Sequence, residues 1–315
     1  MFIARRDSAT LLCSEELQSF ESTGIVMPLF RTEPEEDGLL AINIALLRSG
    51  DTDIGRSADK LKHIGQSSIN LNLMRVSLFV TCLVDQLWSS VGASSVEVLR
   101  RVGCEVEFDD RQTCCAQPAF NTGYRQEARE VAKRFISIYE DSKVDAIVSP
   151  SGSCTAMVHH YPELFAEDAE WLKRAQAIAE RTHELSSFLV RVLKVEDVGA
   201  SWTGRLTWHD ACHGLRDLNL KSEPRSLIKN VRGAEFVELD NADSCCGFGG
   251  TFSVKYPEIS LAILDQKIEA IERAEVKAVV SGDASCLMQI GGRLSRKGSQ
   301  VKVMHIAELL ASQEA

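Results

Sequence analysis

Two runs of apolar, largely β-branched residues each end on a cysteine: MRVSLFVTC at positions 74–82 and the shorter RLTWHDAC at 205–212. Such runs read as buried strands. Each is followed by a helical stretch, residues 83–103 in the first case and 213–233 in the second. A second strand comes next, CEVEFD (104–109) or AEFVELD (234–240), and leads into a pair of adjacent cysteines. Helical stretches at 121–141 and 253–274 lead on to a third strand, VDAIVSP (144–150) or VKAVVSGD (276–283). A β–α–β–α–β order in each half predicts an α/β protein of two pseudo-repeated Rossmann-like domains, each a mostly parallel sheet covered by helices.

The cysteines follow the same duplication. Cys82 is separated by 31 residues from Cys114 and Cys115, and these by 38 from Cys154. Cys212 is separated by 32 from Cys245 and Cys246, and these by 39 from Cys286. Unrelated core cysteines have no reason to reproduce such spacing, so the chain reads as an internal repeat with a period of about 131 residues. The division that follows is an N-terminal extension at 1–73, a first cysteine-rich domain at 74–200 and a second at 201–315. Every repeated cysteine sits just past the carboxyl end of an expected strand, where open α/β sheets build their sites. Three loops at one sheet edge then bring four thiols together. Cys13 and Cys104 lie outside the pattern and read as buried or incidental thiols.

Adjacent cysteines are poor disulfide partners, because the bond needs matched Cβ vectors. Four converging thiols suit zinc or an iron–sulfur cluster. Paired ligands on one turn suit the several irons of a cluster, whereas structural zinc prefers two or more residues between neighbouring ligands. Gly247, Gly249 and Gly250 let backbone approach the second site and offer N–H groups to sulfur or to an anion. His209 and His213 bracket Cys212 and are candidates to orient a ligand; His159 and His160 read as structural residues of a helix. Asp210 and Asp283 also flank the second site. There is no dinucleotide fingerprint, no P-loop and no hydrolase elbow in the chain, and no catalytic residue is assigned.

Composition narrows the classes. With 315 residues, 44% hydrophobic and 25% charged, the chain is of globular type. A formal charge of −10 argues against nucleic acid or an anionic membrane as main partner. No apolar run reaches the roughly 18 residues of a membrane span, and the N-terminus lacks a secretory h-region, so a cytoplasmic protein is expected. In a reducing compartment ten cysteines point to metal or redox chemistry rather than disulfides.

The repeat, with its segments CCAQPAFNTGY, SPSGSC, WHDACHGLRD and CCGFGGTFSVKYPEIS, resembles the cysteine-rich CCG-domain proteins from about Met74 onward. In particular it is similar to the lactate utilization protein A group of bacterial L-lactate oxidation. The glycolate oxidase iron–sulfur subunit and the B subunit of heterodisulfide reductase are relatives. The resemblance implies a cytoplasmic electron-transfer subunit of an oxidoreductase complex that converts L-lactate to pyruvate, rather than a catalyst on its own. It implies iron–sulfur clusters, of the [4Fe–4S] type, on Cys82, Cys114, Cys115 and Cys154 and on Cys212, Cys245, Cys246 and Cys286. It also implies two partners: a ferredoxin-like iron–sulfur subunit and a third subunit, similar to lactate utilization proteins B and C.

The chain departs from the family pattern in three places. Ser151 and Asp283 stand where the full motif has a fifth cysteine, and Ala116 stands where it has glycine. Four thiols per repeat disfavour the unusual clusters of heterodisulfide reductase, and the unequal repeats leave room for zinc in one of them. Two rival functions remain open: a thiol/disulfide reductase subunit, and a zinc-stabilised interaction protein. Residues 1–73 have no counterpart in the resemblance. They are expected to be either a poorly ordered extension or the product of a start assigned upstream of Met74.

Overall fold

A computed structural model describes residues 74–314. The first half opens with β1 (Arg75–Leu78), α1 (Cys82–Leu87), α2 (Ser89–Arg101) and β2 (Glu105–Glu107). It continues with α3 (Gln117–Asn121), α4 (Arg125–Tyr139), β3 (Ala146–Ser149) and α5 (Gly152–His159). It ends with α6 (Tyr161–Leu164), α7 (Ala169–Arg181), β4 (Thr182–Glu184), α8 (Leu185–Ser187) and a π-helical turn at Phe188–Val192. The second half repeats the plan with β5 (Ser201–Trp208), α9 (Cys212–Arg216), α10 (Ser222–Lys229) and β6 (Arg232–Val237). After them come α11 (Phe252–Lys255), α12 (Pro257–Arg273), β7 (Ala278–Ser281), α13 (Ala284–Arg296), β8 (Lys302–His305) and α14 (Ile306–Ala311).

The strands form two four-stranded sheets, ordered β2-β1-β3-β4 and β6-β5-β7-β8. All pairings are parallel. The central strands β3 (AIVS) and β7 (AVVS) are buried at all four positions, as expected where helices cover both faces of a parallel sheet. Helix α4 buries Ala128, Ala132, Phe135, Ile136 and Tyr139, one face at helical spacing. On α12 that face includes Leu264, Ile268 and Ile271 and, unusually, Lys267.

Two features extend the sequence expectation. Each sheet has a fourth strand, β4 or β8, that was not read from the chain; both are short, and β4 joins α7 without a loop. The two helical stretches after β1 and β5 are each broken in two. The first breaks at Trp88 (φ −142°, ψ 55°), outside the helical region. The second breaks over residues 217–221.

The two halves share a core. Val76 and Leu78 of β1 and Val98 and Leu99 of α2 belong to one apolar cluster with Leu206 and Trp208 of β5 and Ile306, Leu309 and Leu310 of α14. Arg101 ties α2 to the end of α14 by donating to the carbonyls of Leu310 (2.9 Å) and Ala311 (2.8 Å). The opposite face of each sheet has its own core: Phe79, Phe135, Tyr139 and Tyr161 in the first half, Leu264, Ile268, Ile271 and Ile290 in the second.

Candidate metal centres

Parallel register decides where the cysteines arrive. Leu78 pairs with Val148 and Trp208 with Val280, so the carboxyl ends of β1 and β3, and of β5 and β7, finish side by side. The ladder runs one residue further in both halves: the N–H of Phe79 donates to Val148 and that of His209 to Val280, each at 2.8 Å. Three residues later Cys82 and Cys212 occupy the first positions of α1 and α9. Cys154 and Cys286 lie in the first turns of α5 and α13. The paired cysteines fall in the loops after β2 and β6, so four thiols of each half meet at one sheet edge.

None of the nine described cysteines forms a disulfide. Cys82 Sγ lies 4.0 Å from Cys114 Sγ, and Cys246 Sγ lies 3.1 Å from Cys286 Sγ. Hydrogen bonds from Cys115 and Cys82 draw the Cys114 thiol down to about 3. Cys212 and Cys246 do the same for Cys245, to about 2. Sharing a proton with Cys114, together with burial, raises Cys82; sharing with Cys245, together with burial, raises Cys212. Cys115 and Cys246 are raised by the same kind of hydrogen bonding, to both of their sulfur neighbours, and by burial. Each quartet thus concentrates negative charge on the first cysteine of its CC pair, a donor set suited to a soft cation. The N–H of Gly247 donates to Cys245 Sγ at 3.3 Å.

The remaining sequence candidates divide. His209 is fully buried, and its ring nitrogens, Cys246 Sγ and Cys286 Sγ include a set lying within 4.8 Å of one another. His213 instead turns to Asp217, 2.6 Å away, and is partly exposed. Gly249 and Gly250 belong to the turn that starts α11, where their carbonyls accept from Phe252 N and Ser253 Oγ. His159 bonds the Thr182 carbonyl, and His160 pairs with Glu163. Cys104 is buried in the shared core, where burial raises it to about 11. Cys13 and all of residues 1–73 lie outside the described residues.

The two acids beside the second site are engaged elsewhere. Asp210 accepts from Trp208 Nε1 (2.7 Å) and from both terminal nitrogens of Arg225 (2.9 and 2.8 Å). Asp283 caps α13 through Ser285 and also accepts from Ser153 N of the other half at 2.8 Å. With Gly152 N donating to Gly282 O at 3.2 Å, this joins the two cysteine-bearing loops after β3 and β7. Ser151 caps α5 and receives the N–H of Cys154 itself. The two positions that lack the fifth cysteine therefore hold helix starts and the contact between halves.

A cysteine-rich domain model of the CCG family matches residues 76–159 and again 206–291, the two segments just described. The chain belongs to the cysteine-rich CCG family. Lactate utilization protein A of Geobacillus sp. (strain WCH70) is 52% identical over 239 residues, which is 76% of this chain and 100% of that protein. The protein of the same name from Bacillus subtilis (strain 168) is 50% identical over 239 residues, with the same coverage. A solved structure of a hypothetical protein from Helicobacter pylori aligns with a TM-score of 0.52 at 10% identity. That alignment covers 86% of this chain and 56% of the other, and bears on the fold alone.

Some residues that build this CCG-family site carried no recognised signal in the sequence. Lys267 Nζ, on the buried face of α12, donates to the carbonyls of Asn241 (2.8 Å) and Ala242 (3.0 Å) and so anchors the loop before Cys245. A lysine in phase with Leu264, Ile268 and Ile271 was the available clue. Tyr161 donates to the Cys115 carbonyl at 3.0 Å within the apolar wall of the first site; nothing in the local pattern marks it.

Proposed function

We propose that this chain is an electron-relay subunit of L-lactate oxidation, with one iron–sulfur cluster of the [4Fe–4S] type per quartet of cysteines. The observation that carries this reading is the convergence of two equivalent sets of four thiols at the carboxyl edges of two parallel sheets. Its closely similar relatives carry the name lactate utilization protein A, which supports the lactate assignment. Oxidation of a 2-hydroxy acid to a 2-oxo acid releases two electrons and two protons. A bound cluster supplies one-electron acceptance and release.

The residues of this chain do the rest. Cys114 and Cys245 offer thiolates, and Gly247 offers an N–H that stabilises charge on sulfur. Phe79, Phe135 and Tyr161 share one apolar cluster with Cys115 and Cys154, while Cys82 and Cys114 keep partial exposure. No set of acid–base groups suited to attacking lactate was read from the sequence, so the reading places substrate chemistry on a partner. Two partners are proposed, a ferredoxin-like iron–sulfur subunit and a third protein, similar to lactate utilization proteins B and C, in the cytoplasm. No helix among the described residues is long and apolar enough to cross a membrane.

Iron, acid-labile sulfide and zinc content, with EPR spectra before and after dithionite, test the reading on anaerobically prepared protein. Iron with matching sulfide and a reducible signal is expected. Zinc alone at both quartets defeats it. A second reading, zinc in the first quartet only, has one distance in its support. The 4.0 Å between Cys82 and Cys114 is close to the edge, about 3.8 Å, of a tetrahedron with Zn–S bonds of about 2.3 Å.

A further inference from the structure

We propose that His209 is a nitrogen ligand of the second metal centre, and that the first centre has no such ligand. The inference rests on the reading that the thiols bind metal, and goes beyond it by making the two centres chemically different. Its first support is an unpaid requirement. His209 is 0% exposed, yet among the described residues neither of its ring nitrogens has a hydrogen-bond partner. A buried polar group left unsatisfied costs about 1–3 kcal/mol. The second support is position: ring nitrogen, Cys246 Sγ and Cys286 Sγ all fall within 4.8 Å of one another.

The backbone fixes this placement. His209 N donates to Val280 at 2.8 Å, and its carbonyl accepts from Ser281 Oγ at 3.0 Å.

The equivalent position of the first half has different chemistry. Phe79 makes the same ladder bond to Val148 that His209 makes to Val280. Its ring packs edge-on against Phe135, with centroids 4.8 Å apart, and has no donor atom to offer. The first centre therefore has thiolates alone, and the second has thiolates and an imidazole. With His209 taking one iron in place of a thiolate of the second quartet, the second centre would have the higher potential, and an electron would move downhill from the first centre to the second.

Electron–nuclear double resonance on reduced protein, with all histidines at natural abundance and then labelled with nitrogen-15, tests the proposal. A strong nitrogen coupling that changes on labelling and vanishes in His209→Phe is expected. The variant's second centre should also show a lowered reduction potential while the first is unmoved. If His209→Phe does not fold, the labelled coupling must persist in His213→Gln, which removes the other histidine beside Cys212. For any zinc-loaded centre, X-ray absorption should show an imidazole shell at about 2.0 Å beside the sulfur shell. Metal at both centres with sulfur shells alone, or a nitrogen coupling unaffected by His209→Phe, overturns the proposal and leaves the metal reading standing. Protein that binds neither iron nor zinc overturns both.

Discussion

Ala116 and Gly247 occupy the same place after the paired cysteines, and both are left-handed, at φ +73° and +82°. An alanine there costs about 1–2 kcal/mol relative to its ordinary conformation, whereas glycine adopts it freely. Ala116→Gly is therefore expected to raise stability by about 1 kcal/mol, part of the relief being offset by the greater freedom of glycine in the unfolded chain. A thermal melt of the unloaded protein measures this. The reverse change fails at the second site for a separate reason. A Cβ on Gly247 would lie 2.4 Å from the Ser260 carbonyl oxygen, so Gly247→Ala must displace backbone, and the second centre should lose metal while the first keeps it. At this scale the sequence showed all eight ligand candidates, because spacing is a property of the chain. It did not show that Asp210 is consumed by Arg225, 15 positions away, since that pairing exists only once α10 packs beside the loop.

Among elements, the short fourth strands are the informative case. Glu184 ends β4 and caps α8, accepting from Ser187 N at 3.0 Å and Ser186 Oγ at 3.2 Å, and is almost wholly buried. Burial raises its carboxyl to about 7 despite these bonds. In the unfolded chain a glutamate titrates near about 4.3. Between those values the unfolded state releases a proton that the folded state retains, so stability falls as pH rises through this window. The full effect is about 4 kcal/mol. It is present below the unfolded value and lost above the folded one. Wild type should therefore lose stability relative to Glu184→Gln between pH 5 and pH 8, read as the difference between their melting curves; parallel curves would refute the buried-carboxyl account. The strand itself escaped detection because THE is three residues long and continues α7 directly. Its strand state comes from pairing with β3 rather than from local pattern.

At the scale of the whole molecule, the repeats are two in topology but not independent in packing. The cluster that joins β1 and α2 to β5 and α14 includes Trp202, Leu206, Trp208, Ile306, Leu309 and Leu310 from the second half. Splitting the chain at 200/201 would strip these residues of their partners. A fragment of residues 201–315 is expected to lack fixed tertiary packing, with weak near-ultraviolet circular dichroism and exposed apolar surface. Sharp, dispersed amide signals from that fragment would show instead that each repeat folds by itself. The joined loops at Gly152 and Gly282 also set the two cysteine quartets in one framework.

The sequence alone determined the duplication, the strand–helix alternation and the identity of the eight thiols, because all three are periodic and local. It also put those thiols in the loops at the carboxyl ends of parallel strands, since each follows a strand in the order of the chain. Only the tertiary structure decided the remainder. It showed that Ser151 and Asp283 serve helix starts and the contact between halves, that Lys267 anchors a ligand loop, and that His209 stands buried beside two sulfurs where the first half has Phe79. Each of these depends on which distant groups compete for one side chain, and that competition is settled only when the sheets and helices have packed.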